Sequence, residues 1–452
     1  MKANRNPVVW LVFFFCMGST VSGAQTAQMT LRQAIEQALG QNLEITAAHA
    51  DEKAASASSF LARTALLPQL NFIEEISRGN DPVYAFGTRL RQQQFTQADF
   101  ALNALNRPQP IGNFSSRFSG SWTAFDSFKT ERTIRSADLF KKSSASSAQA
   151  VNQRIAFQVV KAYQSVLYAE RQIDVARHEQ ETAEALLAST DERVRAGLAV
   201  ESDRMSAAVN VAARQEELIA AQGELELAWA ELREAMGKPE LASSALQPIE
   251  PHKFAQLALE ENLATAAKTR PDLMALGEAQ SAQAAAVGAT KSEFGPRVSA
   301  YGNWEQDQSP TAGAGGDNWV AGVQITVDIL PVGKRAQLAR ESAAKEKIDA
   351  QAALLREHLR LEVTQAHIHQ QAAELTLETA RAAMDQAAES LRILKNRYNA
   401  GLATITDLLR AGDAERESQS SYWRAVYGNT LAHAELLYAT GTLTPDATED
   451  LQ

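Results

Sequence analysis

Two periodicities share this chain. Between about residues 130 and 195, small and large apolar residues return every seven positions. Ile155, Ala162, Ala169, Ala176 and Ala183 form one seam, and Val159, Val166, Ile173, Gln180 and Leu187 the neighbouring one. An unbroken seven-residue rhythm predicts one helix of roughly 60 residues, about 90 Å long at 1.5 Å per residue, and its Ala-rich seam predicts close packing against other helices. A second helix is expected from about residue 202 to 236, with Val211, Leu218, Leu225 and Leu232 at the same spacing, ended by Gly237-Lys238-Pro239. The other periodicity is two. Phe114, Ser116, Phe118, Gly120, Trp122 and Ala124 alternate with Ser115, Arg117, Ser119, Ser121 and Thr123, which predicts a strand with one apolar and one polar face. Upstream, residues 31–67 read as one helix closed by Leu67-Pro68, and residues 69–77 as a strand. A polar connection rich in Gly and Pro then occupies residues 79–112, with aromatics expected to stabilise that loop rather than plug an opening.

The same programme then repeats. A helix from about residue 254 carries Arg270-Pro271-Asp272-Leu273 where the first half has Asn42-Leu43-Glu44-Ile45, and Pro296 falls where Pro68 did. Val298, Ala300, Gly302 and Trp304 alternate with polar neighbours, and after a Gly-rich connection at 306–317 so do Trp319, Ala321, Val323, Ile325, Val327 and Ile329. Pro331-Val332-Gly333 leads into another long helix, with seams Ala366, Ala373, Ala380, Ala387 and Val363, Leu377, Met384, Leu391. A closing helix runs to about residue 440, with Gly441 where Gly237 stood. Between the long helices the turns match residue for residue: Arg193, Ala196, Gly197, Leu198, Ala199 and Asp203 recur as Arg397, Ala400, Gly401, Leu402, Ala403 and Asp407. This self-similarity predicts an internal duplication. The expected division is a signal peptide at 1–24, a first structural repeat at 25–240, a linker at 241–256, a second repeat at 257–445 and a tail at 446–452.

Composition and charge narrow the setting. Lys2 and Arg5, an apolar run and Ser22-Gly23-Ala24 have the layout of a cleavable secretory signal, cut after Ala24. Cys16 is the only cysteine, and the bulky Phe13-Phe14-Phe15 before it argue against lipidation, so the mature chain has no thiol with which to form a disulfide. The formal charge of −10 becomes about −12 without the signal, which argues against nucleic acid as a partner. No other segment approaches the roughly 18 to 20 apolar residues that a spanning helix requires, so any membrane crossing must use strands. Four strands cannot close a barrel, for which about eight are the minimum, and an open sheet would leave unpaired backbone groups in lipid. Several chains must share one barrel, and three chains give twelve strands. A secreted chain with strand-type spans belongs in an outer membrane, its hairpins continuing as a tube across the periplasm. No phosphate-binding loop, nucleophile with its base, or carboxylate pair is evident, and His367 and His369 fall on different helix faces. No enzymatic activity, cofactor or metal is therefore expected.

The RxRAGLA and RYNAGLATxxDLL turns, the Arg270-Pro271-Asp272-Leu273 entry, the two prolines before strands and the repeat itself resemble the TolC-like outer-membrane factors, over residues 31–443. The resemblance implies a mainly α protein with membrane β: a homotrimer whose twelve-stranded β-barrel, four strands per chain, continues into a long α-helical barrel. It implies an exit duct of a tripartite efflux or type I secretion system, docked through a periplasmic adaptor to an inner-membrane pump. A resistance-nodulation-division (RND) pump is the first expectation, with ABC or MFS pumps as other possibilities. Gly197, Leu198, Gly401 and Leu402 are the adaptor-docking candidates on this resemblance, while locally each Gly is expected to cap a helix and each Leu to cover the turn. Tyr398, Asp203 and Asp407 fall at positions of the family's periplasmic gate. Ala403 replaces the linking Arg and Arg410 an acidic residue, so an acidic throat is in doubt, and Thr404-x-x-Asp407 is also a capping box. The competing readings are a periplasmic adaptor, which carries one hairpin rather than two in tandem, and a structural trimeric coiled-coil surface protein, which needs no amphipathic strands.

Overall fold

The computed structural model describes residues 28–241, 243, 245–250, 253–310 and 315–451. The expected signal segment, with Cys16, lies outside the described residues.

The first half opens with α1 (Leu31–Gln41) and α2 (Leu43–Thr64), two helices where the apolar pattern predicted one. Asn42 separates them. Its backbone is extended at φ −65° and ψ 132°, and its side chain caps α2 by accepting from the Glu44 N–H at 2.8 Å while donating to the Ala235 carbonyl at 3.0 Å. A residue that can serve as an N-cap breaks a helix without disturbing its apolar stripe, and the stripe was all the periodicity could see. Strand β1 (Gln69–Gly79) follows. The expected polar connection then folds into α3 (Pro82–Arg91), a 3₁₀ turn and α4 (Leu102–Asn106). Helix α3 has an Asp81 N-cap and Pro82 in its first turn, so its start signal was present in the sequence. Strand β2 (Ile111–Phe125) leads into α5 (Lys129–Arg195), 67 residues without a break and about 100 Å long, and then α6 (Glu201–Met236).

The second half repeats this order with α7 (Leu259–Thr269), α8 (Pro271–Ser292), β3 (Arg297–Gln308), β4 (Gly315–Thr326), α9 (Val332–Asn399) and α10 (Ile405–Ala439). The predicted single helix again breaks, here at Arg270, because the proline after it disfavours helical backbone; Arg270 is extended at ψ 114°. Strands β3 and β4 take residues from both ends of the expected Gly-rich connection, as Gln308 pairs with Gly315, and β4 ends at Thr326 rather than reaching Ile329.

The two short helices stand end to end on the two hairpins. Gly237, which stops α6, lies against Asn42, and a Cβ added there would sit 2.9 Å from the Asn42 Cα. Gly441, just past α10, meets Arg270 in the same way, also at 2.9 Å. Both glycines have positive φ, +67° and +72°. Each long helix therefore packs against a shorter hairpin partner in its lower part; above it, α5 packs against both α2 and α8, and α9 against α8. The main core lies at this joint. Leu31, Ile35, Val159, Val166, Leu232, Met236, Leu443 and Leu451 are buried in one cluster, the last from a 3₁₀ turn at Asp446–Leu451. The buried Tyr163 hydroxyl, 2.8 Å from the Met29 carbonyl and 2.9 Å from that of Gln247, ties the N-terminal segment and the inter-repeat connection to α5.

Candidate functional site

The four strands form one antiparallel sheet in the order β1-β2-β3-β4, so β1 and β4 are left as free edges within the chain. Alternation sorts the residues by face. Phe72 pairs with Phe118, Phe118 with Trp304 and Trp304 with Trp319, placing an aromatic row across all four strands on the apolar face. Leu70, Ile76, Val323 and Ile325 extend this face and all are exposed. Exposed apolar area on this scale needs lipid or a partner to cover it. The opposite face is polar, and its end beside the connection is covered. Asn113 donates to Asp307 at 2.6 Å, and Ser115 and Arg117 both donate to Glu305, at 2.8 and 2.7 Å. Gln92, at the end of α3, closes this network: its Nε2 donates to the Gly112 carbonyl at 2.9 Å, to Asn113 Oδ1 at 2.8 Å and to the Gln308 carbonyl at 3.3 Å. The connection 79–112 thus lies against the polar face, while Phe86, Phe95 and Phe100 pack edge to face on one another within it.

At the far end of the hairpins the two turns have the same build. Gly197 and Gly401 adopt φ of +75° and +76°, and Leu198 and Leu402 return N–H bonds of 2.8 Å to the Arg193 and Arg397 carbonyls, the closure of a helix C-cap. A Cβ on either glycine would meet nothing within 4 Å, so backbone conformation alone selects Gly there. The leucines do not cover the turns as expected; at 73% and 69% exposure they project from them. Among the described residues, none comes within 4 Å of a Cβ placed on either glycine, and both leucines stand exposed beside them.

The four gate candidates separate. Asp407 forms the capping box with Thr404: its N–H donates to the Thr404 hydroxyl at 3.2 Å, and the Thr404 N–H donates back to its carboxylate at 3.1 Å. The Thr404 hydroxyl and N–H hold the Asp407 carboxyl below its ordinary range, with smaller help from Arg410 and Arg397. Arg410 is exposed. Asp203 stands in the first turn of α6, which starts at Val200 without a side-chain cap. Tyr398 is buried, and it meets different partners. The Arg193 guanidinium lies 4.7 Å from its ring centroid and donates to its carbonyl at 3.2 Å, and the Tyr398 hydroxyl is 3.5 Å from that of Thr190. Among the described residues no hydrogen bond or ion pair joins Tyr398 to Asp203, Asp407 or Arg410.

Several polar residues that sequence reasoning passed over organise the helices. Arg214, nearly buried on α6, reaches Asp413 on α10 at 2.8 Å and Glu217 at 2.8 Å, tying the two hairpins together above their tips. Its spacing from Glu217 looks like any solvated i, i+3 pair, so the sequence held no signal of burial. Nearby on α5, burial and then the Glu415 carboxylate push the Glu179 carboxyl up. At the upper joint Arg270 is gripped by Asp272 at 2.7 and 3.0 Å and by Glu362 at 3.0 and 3.2 Å. It also donates to the Tyr438 and Ala439 carbonyls, both at 3.2 Å, and lies over the Tyr438 ring. No helix among the described residues is long and apolar enough to cross a membrane, and no group of His, Cys, Asp and Glu among them could hold a metal ion.

This architecture is shared with known proteins. The model of the outer membrane efflux protein family matches residues 34–238 and 262–442. Outer membrane protein OprJ of Pseudomonas aeruginosa is 26% identical over 434 residues, covering 91% of this chain and 84% of that protein. A crystal structure of a membrane protein from Pseudomonas aeruginosa, 22% identical, superposes with a TM-score of 0.79 over 91% of this chain and 93% of its own. The Campylobacter jejuni CmeC outer membrane channel, 17% identical, also gives 0.79, over 93% of this chain and 88% of its own. The structural likenesses speak for the fold, and the family match spans both halves: the chain belongs to the outer membrane efflux protein family, with its sheet in the outer membrane and its helical hairpins on the periplasmic side.

Proposed function

We propose that three copies of this chain build one exit duct, a twelve-stranded barrel continued by a tube of helical hairpins, that passively conducts substrate handed over by a periplasmic adaptor and an inner-membrane pump of a tripartite efflux or type I secretion system. The observation that carries this reading is a four-stranded sheet with two free edges and an exposed aromatic row, mounted on two parallel hairpins with long arms of about 100 Å. Free strand edges in lipid cost several kcal/mol per unpaired group, so the sheet needs copies of itself to close. The helices need them too. Leu354, Leu361, Ile368 and Leu375 make an exposed stripe at seven-residue spacing on α9, and a coiled-coil seam of this kind is buried by another helix. A second copy offers one in the exposed Met205, Val209, Ile219 and Leu227 of α6.

In this reading the structural repeats 25–240 and 257–445, joined by the linker 241–256, place six turns in a ring at the periplasmic mouth. Gly197, Leu198, Gly401 and Leu402 receive the adaptor, the bare leucines supplying its apolar contacts. Tyr398, Asp203, Asp407 and Arg410 lie around the periplasmic opening. The pump supplies the energy, an RND pump being the first expectation, and the duct itself performs no chemistry. Planar-bilayer recording tests the reading: the purified, membrane-inserted protein should give stepwise single-channel conductance and migrate as a trimer. A trimer that inserts and never conducts would sink it.

A further inference from the structure

We propose that the cavity between the two hairpins, just above their tips, is a binding site for a small amphiphilic organic cation, with the Glu179 carboxylate as its counter-charge. The cavity measures about 410 Å³ and lies where α5, α6, α9 and α10 meet. That volume falls within the range of small-molecule sites, which combine a mainly apolar lining with a few placed polar groups. Here Leu186, Leu391, Leu408 and the buried Tyr398 supply the apolar lining.

The charges around the cavity decide the sign of the ligand. Arg214 is committed to Asp413 and Glu217, and Lys395 sits exposed at the rim. Glu179 makes no hydrogen bond or ion pair among the described residues. The largest single charge acting on it is another carboxylate, Glu415 on α10, opposed by smaller contributions from Arg214 on α6, the neighbouring His178 and Arg416 on α10. Glu179 thus lines the cavity as a half-buried carboxylate that no cation pairs directly, while Arg214 is taken by Asp413 and Glu217, and a buried carboxylate without a direct partner favours a cation beside it. An ammonium or phosphonium group on an apolar body answers both halves of the site at once, whereas an anion would meet Glu179 and Asp413. Gly412 adds a second reason to regard the space as kept open. It lines the cavity from inside α10, about two turns past its start, where Gly costs about 1 kcal/mol relative to Ala. A Cβ there would meet nothing within 4 Å, so no close approach inside the chain requires it.

The site is read by binding alone and stands apart from whether the protein conducts. Titration calorimetry of the full-length protein in detergent, against a micelle blank, compares tetraphenylphosphonium with tetraphenylborate, which has the same shape and the opposite charge. The cation should bind saturably, one per chain, with the borate at least about tenfold weaker. Glu179→Gln, which keeps the shape, should weaken the cation about tenfold, and Gly412→Leu, which fills the space, should abolish it. Equal affinity for the two ions, undiminished binding by Glu179→Gln, or binding that survives Gly412→Leu would each overturn the proposal.

Discussion

Replacing Arg270 by Met should loosen the joint where α7, α8 and the end of α10 meet, and the structure sets the size of the effect. The Arg270 side chain is only 6% exposed, while the Asp272 and Glu362 side chains that hold it are each 31% exposed. Removing one partner of a buried ion pair costs about 3 to 5 kcal/mol when the remaining charges stay buried. Here water can reach both carboxylates after the change, which favours the lower figure. Two further losses act against that relief: the Tyr438 and Ala439 carbonyls at the end of α10 lose their donor, and the Tyr438 ring loses its cation. Met fills much of the space, so no large cavity opens. The sum is about 3 kcal/mol, equivalent to roughly 150-fold in an opening equilibrium. Large membrane proteins unfold irreversibly, so hydrogen exchange is the better assay than a melting temperature. Amides in residues 262–275 and 430–443 should exchange about 150-fold faster in the variant, with those near the tips unchanged. Acceleration below about fivefold, less than 1 kcal/mol, would mean that the network contributes little beyond packing.

Other expectations follow from the same geometry. Gly237→Ala and Gly441→Ala each force a Cβ to within 2.9 Å of neighbouring backbone at positive φ, and should cost more than about 2 kcal/mol by protease susceptibility at the joint. Gly197→Ala, where a Cβ meets nothing, should cost about 1 kcal/mol; equal losses at all three sites would refute the distinction. If the tip is gated, Arg193→Ala should raise single-channel conductance more than Tyr398→Phe, because Arg193 contacts both the ring and the carbonyl of Tyr398 while the hydroxyl has only a 3.5 Å contact. The reverse order would assign the link to the hydroxyl. Glu179, whose carboxyl is pushed up from 4.5 by burial and by Glu415, contributes stability that is full below that value and lost as pH rises through its higher folded value. The facing charges are Glu415 and Arg416 on α10 and Arg214 on α6, with His178 on its own helix. Spin labels at the exposed positions 198 and 402 should therefore show a narrower distance distribution near pH 4.5 than at pH 7.5. The difference should vanish in Glu179→Gln, and a wild-type distribution insensitive to pH would contradict the assignment.

Much of the scaffold was legible because it rests on long, repeated signals. The seven-residue seams predicted α5 and α9, alternation predicted the strands and their apolar face, and the matched turns predicted the duplication. The short breaks were not legible from periodicity, since Asn42 and Arg270 interrupt helices whose apolar stripes continue across them. Local chemistry did carry the signals: an Asn able to cap, a Pro after Arg270, and Asp81-Pro82 at the start of α3. The tip was harder to read. Arg193 and Thr190 reach Tyr398 across some two hundred residues of chain, and Arg214 reaches Asp413 over a similar span. Charged residues at helical spacing look the same whether they face water or another helix, so only the fold could sort them.

The glycines that end the hairpins also fix a length. Forty positions separate Gly197 from Gly237, and forty separate Gly401 from Gly441; α5 and α9 differ by a single residue, 67 against 68. The two hairpins are matched rulers hung from one level. Deleting one heptad from both arms of a single hairpin would lift its turn by about 10 Å and leave its neighbour protruding. Length changes in such a chain can be tolerated only in pairs, one in each half, which ties the growth of one repeat to the growth of the other.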